Sequence, residues 1–428
     1  MLDAKLIRSD PDGVRAALER RGGDAAAGVD RFLVLDGERR ELLQQVETAR
    51  AERNAAAKAI AEAKGRGEDA AAEIARQAEL KQSQAEGEEA LARVEADIAE
   101  VMTALPNPPH PSAPVGDSEE DAEVVRVQGE KPSFDFPPKD HLDLAGPQGL
   151  GLIDPERAAR VSGSRFHYLL GDLVRLEFAL LQWGMAKMHA RGFVPVIPPV
   201  LVKREAMEGT GFFPEAEAQV YALSSDELFL VGTAEVPLAS MHGGELLSED
   251  DLPLHYVGFS SCFRREAGAA GKDTRGIFRV HQFDKLELFS YCHPDRSWDE
   301  QEQLLAIEEE IARKLGFHYR VVNVAAGDLG ASAARKFDIE VWLPGQERYR
   351  ELTSCSNCTD YQARRLNIRF RGEGGKPRFV HMLNGTAITS SRTLLALIEY
   401  GQREDGSIAV PEVLHPFGAP AVLQAPAA

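Results

Sequence analysis

The chain has 428 residues, a net charge of −19 and four cysteines. The length suggests two or three domains, cysteines this sparse exclude a disulfide scaffold, and no apolar run approaches the ~20 residues that span a bilayer. The net charge taken alone argues against nucleic-acid binding, but acidic residues crowd into 117–123, 215–217 and 245–251, which leaves room for basic stripes elsewhere.

The N-terminus carries Asp3, Arg8, Asp10 and Asp12 where a secretion signal would need an apolar core. A cytoplasmic protein with no membrane partner is expected. Residues 29–105 then read as two long helices joined at Gly65, Arg66 and Gly67. Leu35, Leu42, Ala49, Ala56 and Ala63 recur at heptad spacing, with Val46 and Ile60 between them. On the return, Leu91, Val94, Ile98, Val101 and Leu105 step by three and four. That pattern predicts an antiparallel coiled coil. Gln84 and Gly87 fall on seam positions, so a bend is expected there. A helix of about 35 residues extends ~50 Å, so the tip is expected to project into solvent. Arg50, Arg53, Lys58, Lys64, Arg66, Arg76 and Lys81 lie on the distal half. Two readings stand here: a dimerisation coiled coil with a solvated face, or a rod that reaches a distant partner.

Residues 106–123 are rich in proline and acid, which marks a linker. The expected division is an N-terminal helical domain over 1–110, a linker over 111–130 and a larger domain over 131–428. In that domain, strand-like runs alternate with amphipathic helices in no regular βαβ order. An α+β fold on a mostly antiparallel sheet is therefore expected. Residues 171–192 read as a long helix followed by the Pro-rich run 193–199. Such a helix needs a partner surface, whether the core or a second subunit. Cys355 and Cys358 form a lone CxxC, with Cys262 and Cys292 elsewhere. Zinc would need two more ligands, so packing roles are expected and no zinc.

The chemistry concentrates in residues 263–268 and 279–287, two strand-like runs around a charged, Gly-rich loop. Side chains alternate along a strand. Arg264 and Glu266 should therefore share a face, as should Arg279, Phe283 and Glu287. Guanidiniums hold phosphates bidentately, an aromatic plate stacks on a base, and a spare carboxylate can hold an amine. The inventory suits ATP plus an amino acid. A bland alternative is an amphipathic hairpin with a solvated charged face. It loses ground because a second stretch follows: Asn384, Gly385 and Thr386 end an apolar run, and Arg392 opens a helix-like segment over 393–400. An Arg at a strand-to-helix junction suits an anion near a helix N-terminus.

Both stretches resemble motifs 2 and 3 of class II aminoacyl-tRNA synthetases, most closely the bacterial-type seryl-tRNA synthetases. The resemblance extends to residues 1–8, the helical arm, Thr233, Ala234 and Glu235, residues 351–357 and residues 410–414. Residues 171–199 resemble motif 1, with Pro199 in its characteristic place, which implies a homodimer. The implied reaction joins L-serine to ATP as seryl-adenylate, then transfers the seryl group to tRNA(Ser), with tRNA(Sec) as a further candidate acceptor.

The resemblance implies these roles. Arg264 holds the α-phosphate and serine carboxylate, Glu266 faces the adenine, and Phe283 stacks on it. Arg279 meets the γ-phosphate, and Arg392 covers the adenine's other face or reaches the γ-phosphate. Arg264, Glu266, Arg279 and Arg392 are the expected catalytic set. Arg265, Val280, Leu352 and Thr353 complete the ATP site. Glu351 and Ser354 offer hard oxygens for Mg²⁺. Thr233 and Glu235 bind the serine ammonium, Ala234 lines the substrate site between them, Asn384 fixes the backbone nearby, and Glu287 and Thr386 surround the substrate hydroxyl. The arm implies contact with the variable arm and elbow of the tRNA. Many relatives carry Ser where Thr386 stands, and residues 388–391 depart from the more usual run before the Arg. Three alternatives retain part of this pattern: a paralogue serving antibiotic production or resistance, a carrier-protein ligase, or a non-catalytic RNA-binding scaffold. The carrier ligases lack a long arm, and degenerate scaffolds lose the arginines kept here at Arg264 and Arg392.

Overall fold

The computed structural model describes residues 1–267, 271, 273, 275–372 and 374–425. The chain divides into two compact units, residues 2–106 and residues 107–428 with Met1.

The first unit opens on short helices, Ala4–Ser9 and Pro11–Glu19. Asp3 and Asp10 cap them by accepting from the backbone N–H groups of Lys5 and Gly13. Two long helices follow, α1 (Ala27–Arg66) and α2 (Ala71–Ala104), packed along one another. Val46, Ile60 and Ala63 are buried on the first helix and Val94 and Val101 on the second, and near the tip Ile60 and Ala63 cluster with Ala70. The helix runs through Gly65 and Arg66, the first two of the three residues expected to form the turn. Gly67 stops it with φ of 73°, a left-handed conformation that glycine adopts without a Cβ penalty. At the seam's weak point α2 continues unbroken. A Cβ on Gly87 would meet Val46 Cγ2 at 2.9 Å, so glycine there permits close approach. Near the base, Asp36 is buried and takes Arg8 bidentately, at 2.9 and 2.7 Å.

The second unit is built on an eight-stranded sheet. In chain order its strands are β1 (Glu123–Gln128), β2 (Val194–Val196), β3 (Leu254–Phe263), β4 (Gln282–Cys292), β5 (Tyr319–Asn323), β6 (Arg335–Leu343), β7 (Arg348–Asn357) and β8 (His381–Thr389). They lie side by side as β1-β5-β6-β7-β8-β4-β3-β2. Only the β2–β3 pair is parallel, so the unit is α+β on a mostly antiparallel sheet. Three helices, α3 (Asp172–His189), α4 (Ser297–Lys314) and α5 (Ser390–Tyr400), build the main core with the sheet. Leu286 and Leu288 of β4 are fully buried in it; truncating such a leucine to alanine costs about 2–5 kcal/mol. Their neighbours Phe283, Lys285 and Glu287 alternate to the other face, where the sheet opens into a cavity.

Candidate active site

Two bulges decide which side chains reach that face. In β7, Ile339 pairs with Thr353 but Glu340 pairs with Glu351, so Leu352 is the extra residue. In β8, Leu286 pairs with Ile388 but Glu287 pairs with Thr386, so Ala387 is extra. Each bulge reverses the alternation. Glu351 thus joins Ser354 and Ser356 on one face, and Thr389 joins Asn384 and Thr386. A cavity of about 600 Å³ forms over this face, lined at one end by Thr233, Glu235, Glu287 and Asn384 and at the other by Arg264, Glu266, Arg279 and Arg392. A narrower recess of about 60 Å³ adds Phe278, Val280, Phe283, Leu352, Thr353 and Thr386.

The first end is a buried acidic network. Lys285 Nζ donates to Thr233 Oγ1 at 2.6 Å and pairs with Glu287. Thr233 Oγ1 donates in turn to Glu287 Oε2 at 3.1 Å and accepts from the Glu235 backbone N–H at 3.2 Å. Gln362 Nε2 donates to Glu235 Oε1 at 2.8 Å. Burial, followed by the charge of Glu287, pushes the Glu235 carboxyl up to about 7. Burial also raises Glu287, against the pull of Lys285 and Thr233. Two buried carboxylates that share one paired lysine suit an added cation such as an ammonium group.

The second end is cationic. Arg264 leaves the end of β3 with Nε donating to the Gly232 carbonyl at 3.2 Å and its guanidinium 5.2 Å from the Phe283 ring. Its backbone is fixed by His281, whose carbonyl accepts from the Arg264 N–H at 3.0 Å. Arg279 lies before β4 rather than on it, and Nη1 reaches Glu266 Oε2 at 2.6 Å. Glu266 holds φ of 50°, uncommon for a residue with a Cβ. Arg392 sits in the first turn of α5, over Phe278 at 4.6 Å and 3.2 Å from Glu351 Oε2. Burial raises the Glu351 carboxyl, but Arg392 and Lys336 outweigh it and hold the group at about 2.

The structure brings the expected site residues together with two exceptions. Ala234 is buried in a separate apolar cluster with Leu238 and Phe289. Arg265 is exposed, with its backbone N–H on the Gln219 carbonyl at 2.8 Å. Gly268, the last residue of the first motif, lies outside the described residues. Lys285 and Lys336 went unread in the sequence although both line the cavity. Strict alternation from Phe283 to Glu287 would have found Lys285.

The donor set fits a Mg²⁺–nucleotide in chemistry. Glu351 is an ionised carboxylate, and Ser354 adds a hydroxyl on the same wall, while phosphates and water would supply the remaining ligands. Cys355 and Cys358 are buried free thiols.

Residues 1–109 match the family model for the seryl-tRNA synthetase N-terminal domain, and residues 220–400 match that for the class II tRNA synthetase core domain (G, H, P, S and T). The serine–tRNA ligase of Thermobifida fusca is 50% identical over 419 residues, covering 97% of each chain. The chain belongs to the seryl-tRNA synthetase family. The serine–tRNA ligase of Nocardia farcinica is 49% identical over the full length of both chains. Among solved structures, the seryl-tRNA synthetase of Pyrococcus horikoshii complexed with ATP superposes with a TM-score of 0.94 at 43% identity, covering 100% of both chains. The cytoplasmic serine–tRNA ligase of Naegleria fowleri in complex with AMP gives 0.88 at 33%, covering 99% of both. Seryl-tRNA synthetase relatives thus match both units, the helical arm and the unit that carries the cavity.

Proposed function

We propose that this enzyme is a serine–tRNA ligase that activates L-serine with ATP and charges tRNA(Ser), with tRNA(Sec) as a second acceptor. One observation carries the reading: a single cavity joins a cation-seeking acidic end to an anion-seeking arginine end. In the first step a serine carboxylate oxygen attacks the α-phosphorus, the bond to the bridging oxygen breaks and pyrophosphate leaves. In the second, a ribose hydroxyl of the terminal adenosine attacks the carbonyl carbon, and AMP departs. No side-chain nucleophile is needed, so catalysis is positioning and charge stabilisation.

Glu235, helped by Thr233, takes the serine ammonium. Thr386 and Glu287 meet the hydroxyl. A site built to bond that hydroxyl rejects alanine by leaving its own polar groups unpaired. Arg264 bridges the serine carboxylate and α-phosphate, Phe283 stacks on the adenine, and Arg279 and Arg392 take the outer phosphates. Glu351 and Ser354 would hold Mg²⁺, which neutralises phosphate charge when bound.

A homodimer is supported by exposed apolar residues around the motif 1 helix: Phe178 is 67% exposed and Ile197 82%. Among the described residues no helix is long and apolar enough to cross a membrane, and a cytoplasmic site of action accords with tRNA as substrate. The test is aminoacylation. Purified enzyme should attach labelled serine to tRNA(Ser) and leave tRNA(Ala) uncharged. Failure to charge tRNA(Ser) in the presence of ATP and Mg²⁺ would overturn the reading.

A further inference from the structure

A carboxyl group that the reaction does not use lies on the face of the sheet opposite the cavity. Glu308 of α4 is 1% exposed, and α4 packs on β8. A Cβ placed on Gly385 would stand 2.6 Å from Glu308 Oε1, so the carboxyl fills the space that a side chain at this position would need. Gly385 separates Asn384 from Thr386, whose side chains alternate to the opposite face and line the cavity. The acid therefore presses on β8 at the residue between two substrate-facing groups.

A leucine would fill this space at far lower cost, because burying a polar group without full hydrogen bonding is unfavourable. Neither oxygen of Glu308 has a hydrogen-bond partner of ordinary geometry among the described residues. On that face Thr353 and Cys355 of β7 lie beside it, while Glu287 of β4 and Asp338 of β6 act on it electrostatically through the sheet, and none of the four is a cation. Burial, then Glu287 and Asp338, push the carboxyl well above its usual range, while Thr353 and the backbone of Thr386 pull the other way. Ionisation of Glu308 would place a second negative charge behind Glu287.

We propose that Glu308 is a positioning residue for amino-acid recognition: it supports β8 from behind at Gly385 and so sets where Asn384 and Thr386 meet the substrate. The proposal rests on the serine-activation reading above. It separates amino-acid binding from nucleotide binding, because Phe283, Arg264 and Glu351 sit on other strands or loops.

Serine-dependent ATP–pyrophosphate exchange, with each substrate varied in turn, tests it. Glu308→Ala should raise KM for serine roughly tenfold while KM for ATP stays within about twofold. Glu308→Gln keeps the shape without the ionisable proton, so it should restore the serine KM. Should Glu308→Ala not fold, Gly385→Ala serves instead. Its new Cβ collides with Glu308 and should raise the serine KM, and the double variant Gly385→Ala with Glu308→Asp, whose shorter side chain withdraws from that Cβ, should recover it. An unchanged serine KM in folded Glu308→Ala overturns the proposal, as do equal rises for serine and ATP. Absence of serine-dependent exchange in the wild type would overturn the serine reading itself, and this proposal with it.

Discussion

Glu287 and Thr386 stand directly opposite one another on the β4–β8 ladder, 2% and 5% exposed, because Ala387 is bulged out beside them. Without that extra residue the register would pair Glu287 with Ala387, and Thr386 and Asn384 would turn away from the cavity. A one-residue change of register moves side chains to the other face. The proposed hydroxyl pocket thus depends on a backbone irregularity as much as on residue identity.

Lys285 should be indispensable to that pocket. It is buried, pairs with Glu287 and donates to Thr233. Lys285→Ala would leave Glu287 without its cation, and breaking a buried pair in this way costs about 3–5 kcal/mol. Denaturant unfolding should show that loss, and serine-dependent exchange in the folded fraction should fall. Unchanged stability and exchange would mean that the pair carries neither function.

Glu235 should govern the pH dependence of serine use. Its carboxyl, raised chiefly by burial to about 7, must be ionised to hold an ammonium group. The value of kcat/KM for serine should therefore climb as pH rises through about 7, since that profile reports free-enzyme ionisations. The stability contribution has the opposite sense. With the folded value above the unfolded one, it is complete below the unfolded value and is lost as pH rises through about 7. Glu235→Gln should flatten the activity profile and weaken serine binding. The same midpoint in Glu235→Gln would assign the ionisation to another group.

The arm should serve tRNA alone. The unit spanning residues 107–428 holds its own apolar clusters, so deleting residues 34–104 and bridging the ends should spare serine-dependent exchange. Charging at low tRNA concentration should drop sharply. Arg50, Lys64 and Lys81 are exposed on the arm, so wild-type tRNA binding should weaken steeply with salt, and the deletion should flatten that slope. Loss of exchange would show that the arm supports the catalytic unit. An unchanged salt slope would leave it a plain coiled coil.

Much of this was legible in the sequence. The heptad spacing from Leu35 to Ala63 gave the arm, because a seam repeats at a fixed interval and burial follows it. Arg264, Phe283, Glu287 and Arg392 were expected at one site by chemical type, and the structure gathers them around the cavity and its recess. Period-two reasoning could not place Glu351 beside Ser354, or Thr386 beside Thr389, because the bulges at Leu352 and Ala387 leave no compositional signal. Lys336 was missed for another reason: it comes from β6, a strand with no recognisable motif, and enters the cavity only through sheet order. Glu308 is one of many charged residues within 297–314, and only the gap at Gly385 sets it apart.

If one cavity both activates serine and discriminates it by its hydroxyl, the choice of amino acid must show in adenylate formation. Amino-acid-dependent ATP–pyrophosphate exchange, run with each standard amino acid in turn, tests this most directly. Serine should stimulate exchange strongly, threonine, alanine and glycine weakly or not at all, and Arg264→Ala should abolish the serine signal while the protein stays folded. Comparable exchange with threonine, alanine or glycine, or near-normal exchange in Arg264→Ala, would contradict the account.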